Sequence, residues 1–453
     1  MSSRKVFSAL ALWLLLSSGR CVWAQSFEVP FEVYRLDNGL RVILSEDHSS
    51  PTYSIEVVYD VGSRNELPGQ TGIAHLFEHM MFQGSEKVGK GEHFILIQNN
   101  GGSMNGTTSP DRTNYFATLP SNQLDLGLFL EADRMRSLDI SESNFENQRE
   151  TVKEERRRSY DNVPYGRTFL AVGETAYESF AYSHPTIGSM EDLDAATLAD
   201  AEAFFRQYYA PNNAVLALVG AFETEEALAK IEEYFGEIPS QLSPAELYLV
   251  EPEQTEERRL LIEDTFARLP RLDIAFKGPA GNTGDWYILA VLADVLGEGQ
   301  SGRLYQRLVL DQQVALNVRA RLDERRGPSL FRISATPAPD VELEVLEARI
   351  YEELDNLKAE LVEDWEIEKV HAQIERRNAQ ELLSTRARAH ALAENTVFYN
   401  EPGLINTFQQ RYESVSKEGV RSAAQFYLKE INRTVVTTVP QSSESPSSDR
   451  RER

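Results

Sequence analysis

The spacing of apolar and polar positions changes period several times along the chain, and each change marks an element. Tyr34-Arg35-Leu36-Asp37-Asn38-Gly39-Leu40-Arg41-Val42-Ile43-Leu44 reads as strand, Asn-Gly turn, strand, and Tyr53 to Tyr59 alternates as a third strand. From Gly72 to Phe82 the chain is apolar on nearly every side of a helix, and a helix of that kind belongs in a core. Asn99 to Thr108 is rich in glycine and passes into a strand at Thr113 to Leu119. With so few bulky side chains, the glycine-rich stretch reads either as a sheet edge that accepts an extended peptide or as a hairpin with a wide turn. Two helices follow, Gln123 to Ser137 and Ser143 to Ser159. The pattern is helical again from about Thr168 to Tyr209, and a strand, Ala214 to Val219, closes the first half.

The second half repeats the first. Leu260 to Asp264 echoes Val42 to Glu46, Leu272 to Phe276 echoes the Tyr53 strand, and Tyr427 to Val439 echoes Tyr209 to Gly220. Ala290 to Leu296 falls where Ala74 to Met80 fell, at an offset of about 216 residues. The register holds over the whole half, which coincidence would not sustain. Residues 239–258, with Pro239, Pro244, Pro252 and many glutamates, read as a linker. The expected organisation is therefore an α+β chain of two homologous domains, 25–238 and 259–439, related by internal duplication. Residues 440–453 are Ser, Pro, Glu and Arg and read as a disordered tail.

The start of the chain carries an address. Arg4 and Lys5 precede an apolar run from Val6 to Leu16, and Val22-Trp23-Ala24 precedes Gln25, the pattern of a secretory signal peptide (1–24) cleaved after Ala24. The run is too short to span a bilayer, no later segment is apolar for long enough, and the expected location is periplasmic or secreted. Cys21, the single cysteine, leaves with the leader, so a metal would have to be held by His, Asp or Glu. The formal net charge of −25 argues against nucleic acid or an anionic membrane surface as partner.

The apolar helix is where chemistry concentrates. At helical spacing His75 and His79 stand one above the other with Glu78 beside them. His at i and i+4 is a zinc-ligand spacing, and His-x-x-Glu-His is a zinc-protease motif written in reverse. The same residues also read as core histidines hydrogen-bonded to a glutamate. A further carboxylate could come from either of two helices: Glu155 shares a face with Phe145, Gln148 and Val152, and Glu131 lies in line with Leu124, Leu128 and Met135. Periodicity does not choose between them. In the second half Val291 and Val295 replace the two histidines. His48, His93, His184, His371 and His390 lie at no ligand spacing and read as surface or core residues, and the Glu154 to Arg158 run, Glu155 apart, reads as a solvated helix face.

An inverted zinc motif in the first of two homologous halves resembles the pitrilysin, insulin-degrading enzyme and mitochondrial processing peptidase family, in its short bacterial two-domain form. The resemblance implies domains built as mostly antiparallel sheets covered by helices. It implies one Zn2+ per chain held by His75, His79 and Glu155, the last in Thr151-Val152-Lys153-Glu154-Glu155. Glu78 would be the catalytic base of a zinc endopeptidase that hydrolyses peptides or unfolded small proteins inside a two-chain chamber. The family's substrate strand is matched by Gly101 to Thr108, with Gly106 where alanine is usual, and this carries Asn105 over as a substrate contact. One departure stands out. The family's arginine and tyrosine, seven residues apart in the non-zinc half or subunit, are Val309 and Leu316 here. This implies a heterodimer in which a homologous chain without zinc supplies the missing pair, or else a homodimer that works without it. A catalytically silent scaffold or binding subunit of the same family is the alternative function.

Overall fold

The computed structural model describes residues 28–247 and 249–441, so the leader lies outside the described residues, as do residues 442–453. Among the described residues eleven strands build two sheets. The first takes β1 (Glu32–Arg35), β2 (Arg41–Glu46), β3 (Thr52–Tyr59), β4 (Ser103–Thr108), β5 (Thr113–Pro120) and β6 (Ala214–Gly220), in the order β1-β2-β6-β3-β5-β4. The second takes β7 (Arg258–Asp264), β8 (Arg271–Ala280), β9 (Ala315–Leu322), β10 (Pro328–Pro337) and β11 (Arg433–Pro440), in the order β7-β11-β8-β10-β9. Strand for strand the orders coincide once β1 is set aside. Each sheet has one parallel pair, β2 with β6 and β7 with β11, in an otherwise antiparallel array. The duplication expected from the repeat is thus present as topology. β11 runs through Pro440, and the Gln441 amide donates to the Asp264 carbonyl, so ordered pairing extends two residues into the stretch expected as tail.

In the first half, helices α1 (Ile73–Met80), α2 (Glu92–Asn99), α3 (Leu124–Ser137), α4 (Glu142–Arg156) and α5 (Gly166–Ala176) follow the strands. The helix Gly284–Gly297 occupies the place of α1 in the second half, with Val291 and Val295 fully buried. One face of the first sheet packs against α1, α3, α4 and the helices Leu198–Tyr208 and Thr224–Phe235 around Tyr53, Ile55, Val57, Phe77 and Phe145.

The opposite face of each sheet is covered by a helix from the other half. Ala389, Leu392, Ala393 and Val397 of the helix Thr385–Tyr399 pack on Ile43, Val58, Val215, Ala217 and Val219 of the first sheet. Ala171, Val172 and Ala176 of α5 pack on Ile262, Ala275, Leu330 and Val436 of the second. This exchange alters the reading of β3, whose alternation suggests a solvent face. Ser54 and Glu56 are instead buried, Ser54 Oγ within 2.9 Å of Thr385 Oγ1 and Glu56 Oε1 within 2.7 Å of His390 Nδ1. Ser54 and Glu56 Oε1 are met by the visiting helix together with Thr118 and Asn114 of β5 rather than facing water. β6, which is buried along its whole length, sits at the centre of the first sheet between β2 and β3. Residues 239–247 and 249–257 carry no helix or strand.

Candidate metal and peptidase site

The helix that carries the two histidines starts where it does for two reasons. Gly72 adopts φ +89°, and a Cβ there would lie 2.9 Å from Gly188 Cα, so only glycine fits. Its first-turn amides are then capped from a distance: Glu66 Oε2 accepts from the Gly72 amide (2.9 Å) and Oε1 from the Ala74 amide (2.8 Å). His184 Nε2 lies 3.0 Å from Glu66 Oε2, and burial pushes the Glu66 carboxyl up against the pull of His184 and the two amides. Neither Glu66 nor His184 is marked by any spacing in the sequence.

α1 lies against α4 and β4, and these three elements bring the site together. The His75 and His79 rings meet edge to face at 4.9 Å. Glu155 Oε2, on the last turn of α4, is 3.3 Å from His79 Nε2 and 3.8 Å from His75 Nε2. Ligands about 2.0–2.1 Å from a tetrahedral cation stand about 3.3–3.4 Å apart; Glu155 Oε2 is near that spacing from both imidazole nitrogens, and the three donor atoms lie within 4.8 Å of one another. His79 Nδ1 faces Gln148 Oε1 at 3.3 Å, a contact that turns the ring so that Nε2 points to the shared centre. Two imidazoles and one carboxylate are a donor set suited to zinc, and they leave a fourth position free. His75 and His79 side chains are 13 % and 21 % exposed and Glu155 is 41 % exposed, so the site opens on the α4 side.

The electrostatics follow from burial. The His75 imidazole is pushed down to about 4 by burial and then by His79, which keeps it in the neutral form a metal needs. At His79 burial is the largest influence and opposes the charge, but the hydrogen bond to Glu155, the charges of Glu155 and Glu78 and the contact with Gln148 together outweigh it and raise the ring. The same hydrogen bond lowers Glu155. Glu78 is raised by burial, although Thr108 Oγ1 donates to its Oε2 at 2.6 Å. A carboxylate held beside a metal site with its proton affinity raised is placed to take and return a proton.

The structure separates the two carboxylates that periodicity left open. Glu131 is buried and spent on Arg134, whose Nε donates to Glu131 Oε2 at 2.9 Å while its guanidinium stacks on Tyr115. Glu150 and Glu154 point to solvent, with 57 % and 58 % of their side chains exposed. Asn105 is exposed on β4, and strand alternation puts it on the face opposite Thr108, away from the histidine pair. β4 is the outer strand of its sheet and pairs with β5 as a hairpin, so the hairpin reading holds and the strand has an open edge. A Cβ on Gly106 would lie 3.0 Å from the Tyr115 ring, which disfavours alanine at this position.

Among the described residues one other group gathers possible donors, the exposed set Glu46, His48 and Glu223. Glu46 already accepts from the Thr224 amide and hydroxyl, so this set is an ion pair fastening the helix Thr224–Phe235. His390, like His184, is a structural partner rather than a ligand: its two ring nitrogens face Glu56 and Glu394.

The family model described as Insulinase (Peptidase family M16) matches residues 41–189, and that described as Peptidase M16 inactive domain matches residues 195–374. The chain belongs to peptidase family M16. It is 30% identical over 441 residues to the zinc protease PqqE of Helicobacter pylori, covering 97% of this chain and 99% of that protein. It is also 30% identical over 202 residues to the Bos taurus mitochondrial-processing peptidase subunit beta, covering 45% of this chain and 41% of that one. The crystal structure of a protease from Helicobacter pylori superposes with a TM-score of 0.86 at 29% identity, over 91% of this chain and 100% of that chain. The join between the two family models falls before β6, so the second model takes in a strand of the first sheet.

Proposed function

We propose that this chain is a zinc-dependent endopeptidase in which His75, His79 and Glu155 hold the metal and Glu78 is the general base. The observation that carries the proposal is the convergence of three donor atoms within 4.8 Å of one another, with the raised Glu78 carboxylate on the same helix. Bound zinc would acidify a water and polarise a peptide carbonyl. Glu78 takes the proton of that water and returns it to the departing nitrogen, while Thr108 holds its carboxylate in place. β4, as an open edge, offers backbone groups to an extended peptide, with Asn105 as a substrate contact on it.

The partner is a homologous chain without zinc. Val309 and Leu316 stand where the family's arginine and tyrosine are expected, and Leu316 is 45% exposed on β9 with no group able to stabilise an oxyanion. A second chain that supplies the pair would complete the site. The leader of residues 1–24 directs the protein to the periplasm or the exterior. Among the described residues no helix is long and apolar enough to cross a membrane.

The test is elemental analysis of the purified chain together with cleavage of a peptide library, with and without a candidate homologous chain. Stoichiometric zinc, and cleavage that rises on adding the partner, are the expected results. A chain without zinc that cleaves nothing in either condition is a scaffold. Equal cleavage with and without the partner removes the heterodimer and leaves the peptidase.

A further inference from the structure

The second sheet carries a cluster of cations that the peptidase reading does not use. A concavity of about 450 Å³ on the face away from the helix Gly284–Gly297 is lined by Arg271, Arg319, Arg321, Arg332, Asp273 and Phe169, with Ser334 and Thr336 between them. Four guanidinium groups therefore face one carboxylate, in a chain whose net charge is −25. That carboxylate is already taken: Asp273 accepts from Arg271 Nε (2.7 Å) and Nη2 (2.9 Å). Among the described residues, Arg319, Arg321 and Arg332 make no hydrogen bond to a side chain and no ion pair.

Their placement is dictated by the strand register. Arg332 on β10 is the direct cross-strand partner of Arg321 on β9, and Ser334 is the partner of Arg319. Like charges directly opposite one another destabilise a sheet, so this arrangement costs stability unless an anion sits between them. Arg332 is further confined by Phe169 of α5, with its guanidinium 5.2 Å from the ring. Burial lowers the proton affinity of Arg332, although Asp273 and Asp323 raise it. Asp323 is itself engaged by Arg325 Nε at 2.9 Å and by the Leu330 amide. An acidic protein would not gather uncompensated arginines in a concavity for solubility, since any exposed face would serve that end.

We propose that Arg319, Arg321 and Arg332 form an oxyanion-binding site that takes a carboxylate or phosphate group, with planar guanidinium forks matched to two oxygens of the ligand. Phe169, which lines the concavity, also touches the segment that follows the helix of Glu155. α4 carries Glu155 and runs into a π-helical turn, Arg157–Asp161, in which Tyr160 stacks on Phe169 at 6.1 Å. A carboxylate of a peptide held near Glu155 and a free inorganic anion are the two sources of the ligand. Assignment to a peptide rests on the peptidase reading, whereas anion binding stands without it.

The experiment measures binding to the full chain in the Glu78→Gln background, so that turnover does not deplete the probe. A fluorescent octapeptide with two adjacent glutamates is compared with its Gln-Gln counterpart, and inorganic phosphate is titrated separately at constant ionic strength. The expected result is at least tenfold tighter binding of the Glu-Glu peptide, falling to less than twofold in Arg319→Gln/Arg321→Gln, both exposed positions whose replacement leaves the core intact. Arg349→Gln, on an exposed face elsewhere, keeps the preference. Phosphate binding that is lost in the double variant, without peptide preference, supports the site with a free anion as ligand. Absence of both, or a preference unchanged in both the double variant and Arg332→Gln, overturns the proposal. Each of these outcomes is independent of whether the chain holds zinc.

Discussion

Glu66→Gln tests how the zinc-motif helix is held. Glu66 is 4% exposed, and its two oxygens cap the Gly72 and Ala74 amides while Oε2 also meets His184. Both His184 ring nitrogens face oxygens, Nδ1 the Phe180 carbonyl and Nε2 the Ser63 carbonyl and Glu66, so the protonated ring satisfies every contact. Glutamine keeps one acceptor and turns the other into a donor aimed at an amide. Hydrogen bonds to charged groups contribute about 1.5–3 kcal/mol and neutral ones about 1 kcal/mol, so losing one and weakening another costs roughly 2–4 kcal/mol at this helix end. At 1.4 kcal/mol per tenfold, opening of the first turn of α1 becomes roughly 30- to 700-fold more frequent. Amide hydrogen exchange across Ala74 to Phe77 reads this directly, and zinc affinity should fall with it because His75 sits in the loosened turn. If those amides keep wild-type protection in the folded variant, the remote cap is not what holds α1.

Three further outcomes are expected. Glu78→Gln should lower peptide cleavage by about 10²–10⁴-fold while metal content, read by elemental analysis, stays at the wild-type level. His390 is raised because Glu56 and Glu394 outweigh burial and the nearby Arg112, so the stability it contributes is complete below the unfolded value of about 6.5 and is lost as pH climbs through the higher folded value. Hydrogen exchange in the helix Thr385–Tyr399 should therefore speed up above about pH 6.5 more than in His390→Gln, and equal pH profiles would refute the assignment. Proteolytic nicking within residues 239–247 should leave the two fragments co-eluting in size-exclusion chromatography, because α5 and the helix Thr385–Tyr399 each pack on the other fragment's sheet; separation without denaturant would show that exchange to be weak.

Local signals were readable where the partner of a residue lies within a few positions or on the same periodic face. The Asn-Gly hairpin, α1, α4 and the repeat of segments between the halves follow from pattern alone, and periodicity aligns Glu155 with Phe145, Gln148 and Val152. Glu131 competes with it on periodicity, but Arg134 three residues on neutralises it. What stayed hidden depends on contacts across long separations: Glu66 with His184, and Ser54 and Glu56 with a helix from the other half. An alternating strand looks the same whether its polar face meets water or a polar helix, so β3 could not declare its second cover.

The two halves share a sheet order but not the same debts at the equivalent helix. The helix Gly284–Gly297 is capped locally, with Thr283 Oγ1 accepting from the Trp286 amide, and buries valines where α1 presents imidazoles. It needs nothing from elsewhere. α1 has no side-chain cap of its own and places His75, Glu78 and His79 in a largely apolar setting, where each polar group costs free energy until it is satisfied. The partners come from elsewhere: Glu66 before the helix, Thr108 on β4, and Gln148 and Glu155 two turns apart on α4, with His184 behind Glu66. With apolar side chains in place of His75, Glu78 and His79, as Val291 and Val295 stand for the two histidines in the second half, Thr108, Gln148 and Glu155 would lose these partners together. In the first half an apolar α1 would leave Thr108 without the Glu78 carboxylate and Glu155 without the two imidazoles, whereas Glu66 would still cap the Gly72 and Ala74 amides, so the partners of the side chains and the partner of the backbone answer to different requirements.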